Sequence, residues 1–140
     1  MHSDNCANFI LFNSNSLSTE LRYISLSTNT RLNIQPDFQI KSMIGKTFTS
    51  ILDAYEEAIN QCKPSSFAIK QDIMDNLIKY RYYQDEYFRD ILKSILHSSD
   101  TNVLIYHSDN LKWGGDLTSD GILIGQNIVG KMMMKYYLIS

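Results

Sequence analysis

Three stretches between residues 45 and 97 carry apolar side chains at steps of three and four residues. This is the spacing of one face of an α-helix, so each stretch predicts a helix with a buried side. The apolar positions are Phe48, Ile51, Leu52, Tyr55, Ile59 and Cys62 in the first stretch, Ile73, Met74, Leu77 and Ile78 in the second, and Phe88, Ile91, Leu92, Ile95 and Leu96 in the third. Helices therefore make up the larger part of the expected fold.

Capping residues and helix breakers give the expected helix limits. The first helix is expected over 45–61, with Ser50 and Asp53 spaced as in a capping box. Pro64 ends it, and one of the two serines that follow caps the second helix. The third helix is expected to start at Asp85, because Glu86 then lies in its first turn, near the positive end of the helix dipole.

Strands are expected on both sides of this helical region. The first 35 residues are rich in Asn, Ser and Thr, and they predict short strands and turns without a helix. Val103–Tyr106 predicts a short buried strand. A glycine-containing loop over 107–124 leads into a last helix over 126–138. We therefore expect a single α+β domain over residues 1–140, mainly helical with a few short strands.

Composition excludes several classes of protein. The chain has 13 Lys and Arg against 15 Asp and Glu, a balance that argues against generic coating of nucleic acids. Its apolar runs, such as Phe9–Phe12, are much shorter than the about 20 residues of a transmembrane helix. The N-terminus lacks the patterns of a secretory signal or a transit peptide. We expect a cytoplasmic protein without membrane contact. The Asn-, Ile-, Lys- and Tyr-rich composition suggests a virus or a low-GC organism as its source.

No standard catalytic or cofactor motif occurs in the sequence. It contains no Gly-Lys-Ser/Thr phosphate loop, dinucleotide fingerprint, HExxH or paired CxxC. His2, His97 and His107 are too scattered for a metal site, and surface or structural roles are expected for them. Cys6 and Cys62 are expected to remain thiols, with Cys62 filling a core position. We expect neither a bound metal nor a cofactor.

The C-terminal third allows two interpretations. Gly125 and Asn127 lie where a loop enters the last helix, with Lys131 one turn further on. Free backbone N–H groups, the helix dipole and Lys131 could together receive a phosphate or another anion. Alternatively, Asn127 caps the helix and Gly130 permits close packing. Trp113, in the preceding Gly-rich loop, is a candidate platform for a ligand ring, since a loop residue needs a reason to hold a large apolar side chain.

Five groups of residues occur in an order that matches a known family. They are Ser50–Glu56; Met74 with Arg81, Tyr82 and Gln84; Phe88–Leu92; Val103–Tyr106 followed by Asp109 and Trp113-Gly114; and Gly125–Met134. The last group matches the family pattern Gly-Gln-Asn-x-x-Gly-x-x-Leu-Met and is the most specific. From Phe48 to Tyr137 the chain resembles the NADAR superfamily, also called YbiA-like.

The sequence departs from this family at polar positions. The Glu and His of the family's first motif fall on Leu52 and Asp53. The acidic residue after the strand falls near Ile105, the Asp before the Trp falls on Asn110, and the closing Arg falls on Tyr137. The resemblance thus implies a YbiA-like scaffold whose site chemistry has changed.

The resemblance also implies an N-glycosidase-like hydrolase. Family members cleave the bond between ribose and a base or amine, including in riboflavin intermediates and in ADP-ribose attached to nucleobases. The reaction passes through an oxocarbenium-like ribosyl centre, which needs a carboxylate and an aromatic wall that excludes water. Asp109 is the first candidate for the catalytic carboxylate and Asp53 the second, although Asp is equally favoured as a helix or turn cap.

The implied partner is a small nucleotide, namely an ADP-ribosyl, NAD-derived or ribosyl-amine phosphate compound. The residues implied to bind it are Trp113, Gly114, Tyr55, Ser50, Gln126, Asn127, Lys131 and Arg81. Two other functions stay open. The displaced acids allow a module that binds ADP-ribose or a nucleotide without turnover, and the many tyrosines allow a scaffold subunit or a homo-oligomer.

Overall fold

The structure is a computed structural model that describes residues 7–140, so His2 and Cys6 lie outside the described residues. Within this range it contains five α-helices and six short strands, which confirms the α+β class. The helices are α1 (Thr19–Tyr23), α2 (Ile51–Cys62), α3 (Phe67–Gln84), α4 (Glu86–His97) and α5 (Ile128–Ile139). The strands are β1 (Asn8–Phe12), β2 (Leu32–Asn33), β3 (Thr47–Phe48), β4 (Asn102–Tyr106), β5 (Asp116–Leu117) and β6 (Leu123–Ile124).

The chain divides into two compact units. Residues 26–88 form one of them, which we call the inserted unit. The other, which we call the split unit, joins the chain up to Ser25 with residues 89–140. The boundary between Phe88 and Arg89 falls near the start of α4.

The inserted unit packs α2 against α3 and contains the antiparallel pair β2–β3. Ser50 begins α2, because its Oγ accepts a hydrogen bond from the Asp53 N–H at 3.0 Å. Ser66 begins α3 in the same way, with its Oγ accepting from the Ile69 N–H. The sequence predicted the Ser50 cap, and it left the second cap to one of two serines, of which the structure uses Ser66. The apolar core of the unit includes Leu32, Ile34, Phe38, Met43, Ile51, Ala54, Ala58, Ile73, Met74, Leu77 and Ile78.

Helix α2 begins later than its apolar spacing predicts. Thr47–Phe48 pairs with β2 instead of joining the helix, so α2 starts at Ile51. Its buried side consists of Ile51, Ala54 and Ala58. Cys62 is exposed, so the prediction that it fills a core position is wrong.

Helix α4 matches its predicted apolar stripe closely. Asp85 sets its start, since Asp85 Oδ1 accepts a hydrogen bond from the Phe88 N–H at 3.1 Å. Further along the helix, Ile91 and Leu92 are buried, whereas Lys93 is exposed. Among the helices of residues 7–140, none combines the length and the apolar character needed to cross a lipid bilayer.

The split unit is built on β1 and β4, which pair in parallel from Asn8 opposite Asn102 to Phe12 opposite Tyr106. Helix α5 packs against β4. The strand predicted at Val103–Tyr106 is confirmed, with Leu104 and Ile105 fully buried. The apolar core of the unit includes Phe12, Ile24, Leu92, Leu104, Ile105, Val129, Met133 and Tyr136.

Two elements of the split unit were not expected. Helix α1 lies where only strands and turns were predicted, because Ser18 Oγ accepts from the Leu21 N–H and caps a short helical turn. The loop predicted over 107–124 contains the antiparallel pair β5–β6, in which Asp116 lies opposite Ile124. Helix α5 begins at Ile128, slightly later than predicted.

Candidate ligand site in the β4–α5 loop

The side chain of Asn127 joins the start of α5 to β4. Its Nδ2 donates to the Leu104 carbonyl at 2.8 Å, and its Oδ1 accepts from the Tyr106 N–H at 2.9 Å. The residue is 1 % exposed and has a φ of 51°, in the left-handed region that Asn tolerates better than most residues. Asn127 occupies the N-cap position of α5, as one of the two interpretations of the sequence has it, but its side chain makes no cap hydrogen bond.

Two glycines allow the close contacts at this junction. A β carbon on Gly130 would collide with the Leu104 carbonyl and with the amide of Asn127, so the expected packing role of Gly130 is confirmed. Gly125 has a φ of 95°, and a β carbon there would lie 2.7 Å from the Gly114 carbonyl oxygen. The Gly-Gln-Asn-x-x-Gly pattern therefore has a structural explanation in this chain.

The backbone N–H groups around the start of α5 are used by the preceding loop. Those of Gln126, Asn127, Ile128 and Val129 donate to the carbonyls of Leu111, Gly114, Lys112 and Trp113 respectively. The expected anion site at free N–H groups is therefore wrong, because these donors already hold the loop in place. The side chains of Gln126 and Lys131 are exposed.

A turn held by Asn110 carries two of the candidate residues. Asn110 Oδ1 accepts from the N–H groups of Lys112 and Trp113 at 3.1 and 3.2 Å, and the Asn110 carbonyl accepts from the Gly114 N–H at 2.8 Å. Asp109 is exposed on this turn and Trp113 is half-buried. A β carbon on Gly114 would lie 2.8 Å from that of Ser108, so a side chain at 114 would disturb the turn.

His107 and Asp116 form a polar pair in the same loop, and the sequence did not predict it. His107 Nε2 lies 3.1 Å from Asp116 Oδ1, with the two side chains 43 % and 49 % exposed. The backbone holds both ends of the pair, since the His107 N–H donates to the Phe12 carbonyl at 2.9 Å and His107 forms a β-bridge with Gly115. A signal was available: His107 directly follows a predicted buried strand, and side chains at the carboxyl ends of parallel strands often form ligand sites.

A cavity of about 580 Å³ opens at the carboxyl ends of β1 and β4. Its polar lining includes Asn13, Ser16 and His107, and its apolar lining includes Leu11 and Leu21. This volume lies within the range of small-molecule sites.

The other candidate residues belong to the inserted unit. Ser50 is the buried N-cap of α2, and Asp53 Oδ2 accepts from the Thr49 hydroxyl at 2.7 Å. Tyr55 is half-buried, and its pKa is raised, first by the loss of hydration and then by the neighbouring Cys62. Asp53 and Ser50 thus have cap and turn contacts, which was the alternative stated for Asp53 from the sequence.

Arg81 is buried in the core of the inserted unit. Its side chain is 0 % exposed, its Nε lies 3.4 Å from Asp85 Oδ2, and its guanidinium carbon lies 4.1 Å from the centre of the Phe88 ring. Asp85 also accepts from the Thr30 hydroxyl at 3.3 Å. These contacts give Arg81 a structural role in place of the expected substrate-binding role, and we do not retain it in the candidate site.

The candidate site of the split unit therefore consists of the β4–α5 loop, residues 107–127, and the exposed first turns of α5. It holds Asp109, Trp113, Gln126 and Lys131, with His107 paired to Asp116 at its start. Across residues 7–140, His, Cys, Asp and Glu side chains form no group of three or more that could hold a metal ion. Comparison of the chain with protein-family models, curated proteins and solved structures finds no match.

Proposed function

We propose that the chain is an N-glycosidase-like hydrolase acting in the cytoplasm. Its substrate would be an ADP-ribosyl, NAD-derived or ribosyl-amine phosphate compound, and the bond cleaved would join ribose to a base or amine. The observation that carries this proposal is that Asp109 and Trp113 share one turn, held by Asn110, just beyond the carboxyl end of β4.

The chemistry of the reaction explains why these two residue types are needed. Breaking the ribose–nitrogen bond leaves positive charge on the ribosyl centre, which a carboxylate such as Asp109 stabilises while it accepts a proton from water. A half-buried indole such as Trp113 offers a flat apolar face for a base. The exposed side chains of Lys131 and Gln126 are suited to bind phosphate oxygens from the start of α5.

The resemblance to the NADAR superfamily and its YbiA-like fold supports the same proposal. The residues of the Gly125–Met134 group form the junction between the β4–α5 loop, β4 and α5, as a shared scaffold would require. The polar departure at Asn110 bears on the chemistry at the site. Asp109 therefore has to act from one position before the family's acidic residue.

The test is a panel of N-ribosyl compounds incubated with purified protein, with base release followed by mass spectrometry. The panel includes NAD, ADP-ribosylated guanine nucleosides and oligonucleotides, and pyrimidine ribosyl-amine phosphates. We expect Asp109→Asn to lower turnover about 10²–10⁴-fold. Asp120→Asn, an exposed carboxylate in the same loop, is the matched control and keeps wild-type turnover.

A second variant distinguishes between the two candidate carboxylates. Asp53→Asn keeps the size of the side chain and an oxygen that can accept from Thr49. If Asp53→Asn abolishes turnover while Asp109→Asn does not, the catalytic carboxylate lies in the inserted unit and the proposed role of Asp109 is wrong. If both variants and their double mutant keep full turnover, neither residue is the catalytic carboxylate.

A binding module without turnover is the second candidate function, and one observation favours it. The position at which the family has an acidic residue after the strand is near Ile105, whose side chain is fully buried in β4. Asn110, at another family acid position, uses its side-chain oxygen to hold the turn. Calorimetry with ADP-ribose that shows saturable heat, together with no base release from the panel, would support binding alone. A scaffold role would instead require the absence of both heat and turnover.

A further inference from the structure

His107 and Asp116 have the arrangement of a proton-transfer pair. The 3.1 Å separation between His107 Nε2 and Asp116 Oδ1 is a hydrogen-bond distance. The carboxylate therefore fixes the orientation of the imidazole ring. Within the described part of the chain, the other ring nitrogen, Nδ1, has no hydrogen-bond partner, so it remains able to exchange a proton with a ligand.

The backbone around the pair is fixed by hydrogen bonds on both sides. The His107 N–H donates to the Phe12 carbonyl at 2.9 Å, and the Gly115 N–H donates to the Tyr106 carbonyl at 2.9 Å. The His107 carbonyl also accepts from Asn13 Nδ2 at 3.2 Å. Because residues 106 and 107 take part in these contacts through main-chain groups alone, replacement of the His107 side chain leaves the contacts in place.

The pair stands at a cavity. His107 lines the volume of about 580 Å³ at the carboxyl ends of β1 and β4, together with the polar side chains of Asn13, Asn15, Ser16 and Ser18. The hydroxyl and amide groups of these four side chains suit a hydroxyl-rich ligand such as a ribose. The His107–Asp116 pair and a cavity with both apolar and polar lining therefore meet at one edge of the parallel strand pair.

We propose that His107 is the general acid that protonates the departing nitrogen of an N-ribosyl substrate, with Asp116 as its positioning residue. This inference rests on the proposed function and adds a residue and a substrate preference to it. The ribose–nitrogen bond breaks with its electron pair going to nitrogen, and His107 Nδ1–H supplies the proton. Water forms the new bond to the ribosyl carbon and gives its proton to the catalytic carboxylate. Proton return to His107 through solvent completes the cycle.

A general acid at this position implies a preference among leaving groups. A neutral purine or an amine leaves as an anion unless it is protonated, so its departure depends on an acid. The nicotinamide of NAD already carries a positive charge and leaves as a neutral molecule without protonation. Loss of His107 should therefore affect the first class of substrate far more than the second.

The experiment compares these two classes in matched variants. The experiment measures the steady-state release of the guanine nucleoside from its ADP-ribosylated form, called guanine release below, and of nicotinamide from NAD. The proteins are wild type, His107→Gln, Asp116→Asn and the control His97→Gln. His97 is an exposed histidine at the end of α4 and lines a different cavity. In Asp116→Asn, the amide oxygen can still accept from the Leu117 N–H, as Asp116 Oδ1 does at 2.8 Å.

We expect His107→Gln to lower guanine release about 10²–10⁴-fold while nicotinamide release changes less than about threefold. Asp116→Asn should lower guanine release by a smaller factor, and His97→Gln should behave as wild type. A merely structural role of His107 would lower both activities equally, which would overturn the inference. Unchanged guanine release in His107→Gln would also overturn it.

Failure of this inference can be told apart from failure of the proposed function. If wild type releases base from the panel but His107→Gln shows no selective loss, His107 is not the acid, and the N-glycosidase proposal stands. If wild type releases no base from any compound of the panel, both proposals are wrong. Thermal unfolding of each variant shows that the proteins compared are folded.

Discussion

A β carbon on Gly130 would lie 2.5 Å from Oδ1 and 2.6 Å from Nδ2 of Asn127. The absence of a side chain at 130 therefore makes the space in which the Asn127 amide reaches the backbone of β4. The two residues act together, since one supplies the hydrogen bonds and the other supplies the room for them. This relationship explains their spacing without any reference to a ligand.

Gly130→Ala should destabilise the split unit. The added methyl group would overlap the Leu104 carbonyl and the Asn127 amide, and overpacking of this kind typically costs about 1–3 kcal/mol. Urea unfolding followed by circular dichroism measures the effect. Lys131→Ala is the control, because Lys131 is the next residue of α5 and is exposed. Equal stability of the two variants would show that α5 shifts on β4 without cost.

Asn127→Gly should also destabilise the protein, although glycine tolerates the φ of 51°. The variant leaves the Leu104 carbonyl and the Tyr106 N–H without their buried partner, at about 1–3 kcal/mol for each group. Asn127→Ala adds the cost of a left-handed residue and should unfold at a still lower urea concentration. An Asn127→Gly protein as stable as wild type would mean that water replaces both hydrogen bonds.

These two predictions depend on contacts that the sequence could not reveal. The caps at Ser50 and Ser66 were predictable because each involves an N–H group three residues further along the same helix. Asn127 also lies at a helix start, so local rules assigned it the same role. Its true partners lie more than 20 residues earlier, in β4, and nothing in the local pattern identifies them.

The sequence did not predict the short strands of the inserted unit for a related reason. Phe48 has the spacing of the α2 apolar face, yet a ladder with Leu32 takes it out of the helix. In the candidate site, the sequence placed Asp109 and Trp113 on one loop, but it could not pair His107 with Asp116, since the pair depends on how that loop folds back. Arg81 was misassigned because a basic residue in a motif does not reveal its burial.

Trp113 should report ligand binding directly. It is the only tryptophan of the chain and is half-buried in the β4–α5 loop, so a base that stacks on it changes its fluorescence. Titration with ADP-ribose should give a saturable change in emission, and Lys131→Ala should shift the midpoint to higher concentration by about tenfold. Lys93→Ala, an exposed lysine on α4, serves as the control. Constant emission at millimolar ADP-ribose would contradict the assignment of Trp113.

Arg81→Met should strongly destabilise the inserted unit. Removal of one partner leaves the Asp85 carboxylate with less compensation for its burial, and breaking a buried pair typically costs about 3–5 kcal/mol. Arg81→Lys should recover only part of the lost stability, because the lysine ammonium cannot replace the flat guanidinium that contacts the Phe88 ring. Arg31→Met, an exposed arginine of the same unit, is the control in urea unfolding. A loss no larger than that of Arg31→Met would refute the structural role of Arg81.

Acid should weaken one contact of the inserted unit selectively. Hydrogen bonds from Lys79 at 2.7 Å and from Tyr80 at 2.5 Å hold the pKa of Asp37 below its ordinary value. The ionised form is thus favoured by folding, so the stabilisation is present above about pH 4 and is lost as the pH falls through the lowered pKa. Because the pair is exposed, Asp37→Asn should cost at most about 1 kcal/mol at pH 7.

The measurement for Asp37 is urea unfolding at pH 7 and at pH 2.5. The difference between wild type and Asp37→Asn should be present at pH 7 and should shrink at pH 2.5. Asp72→Asn, an exposed aspartate on α3, provides the comparison. If the stability difference between wild type and Asp37→Asn grows on acidification, the Asp37 carboxylate does not stabilise the fold in its ionised form.

The order of the elements along the chain has a consequence for synthesis on the ribosome. All of residues 26–88 leave the exit tunnel before β4 does, so the inserted unit is able to form while β1 is still without its partner strand. The parallel ladder closes only after Tyr106 emerges, and the Asn127 amide can join it later still. During that interval Ile10, Leu11 and Phe12 form an unpaired apolar strand in the nascent chain, and this is the stretch on which a trigger-type chaperone would act.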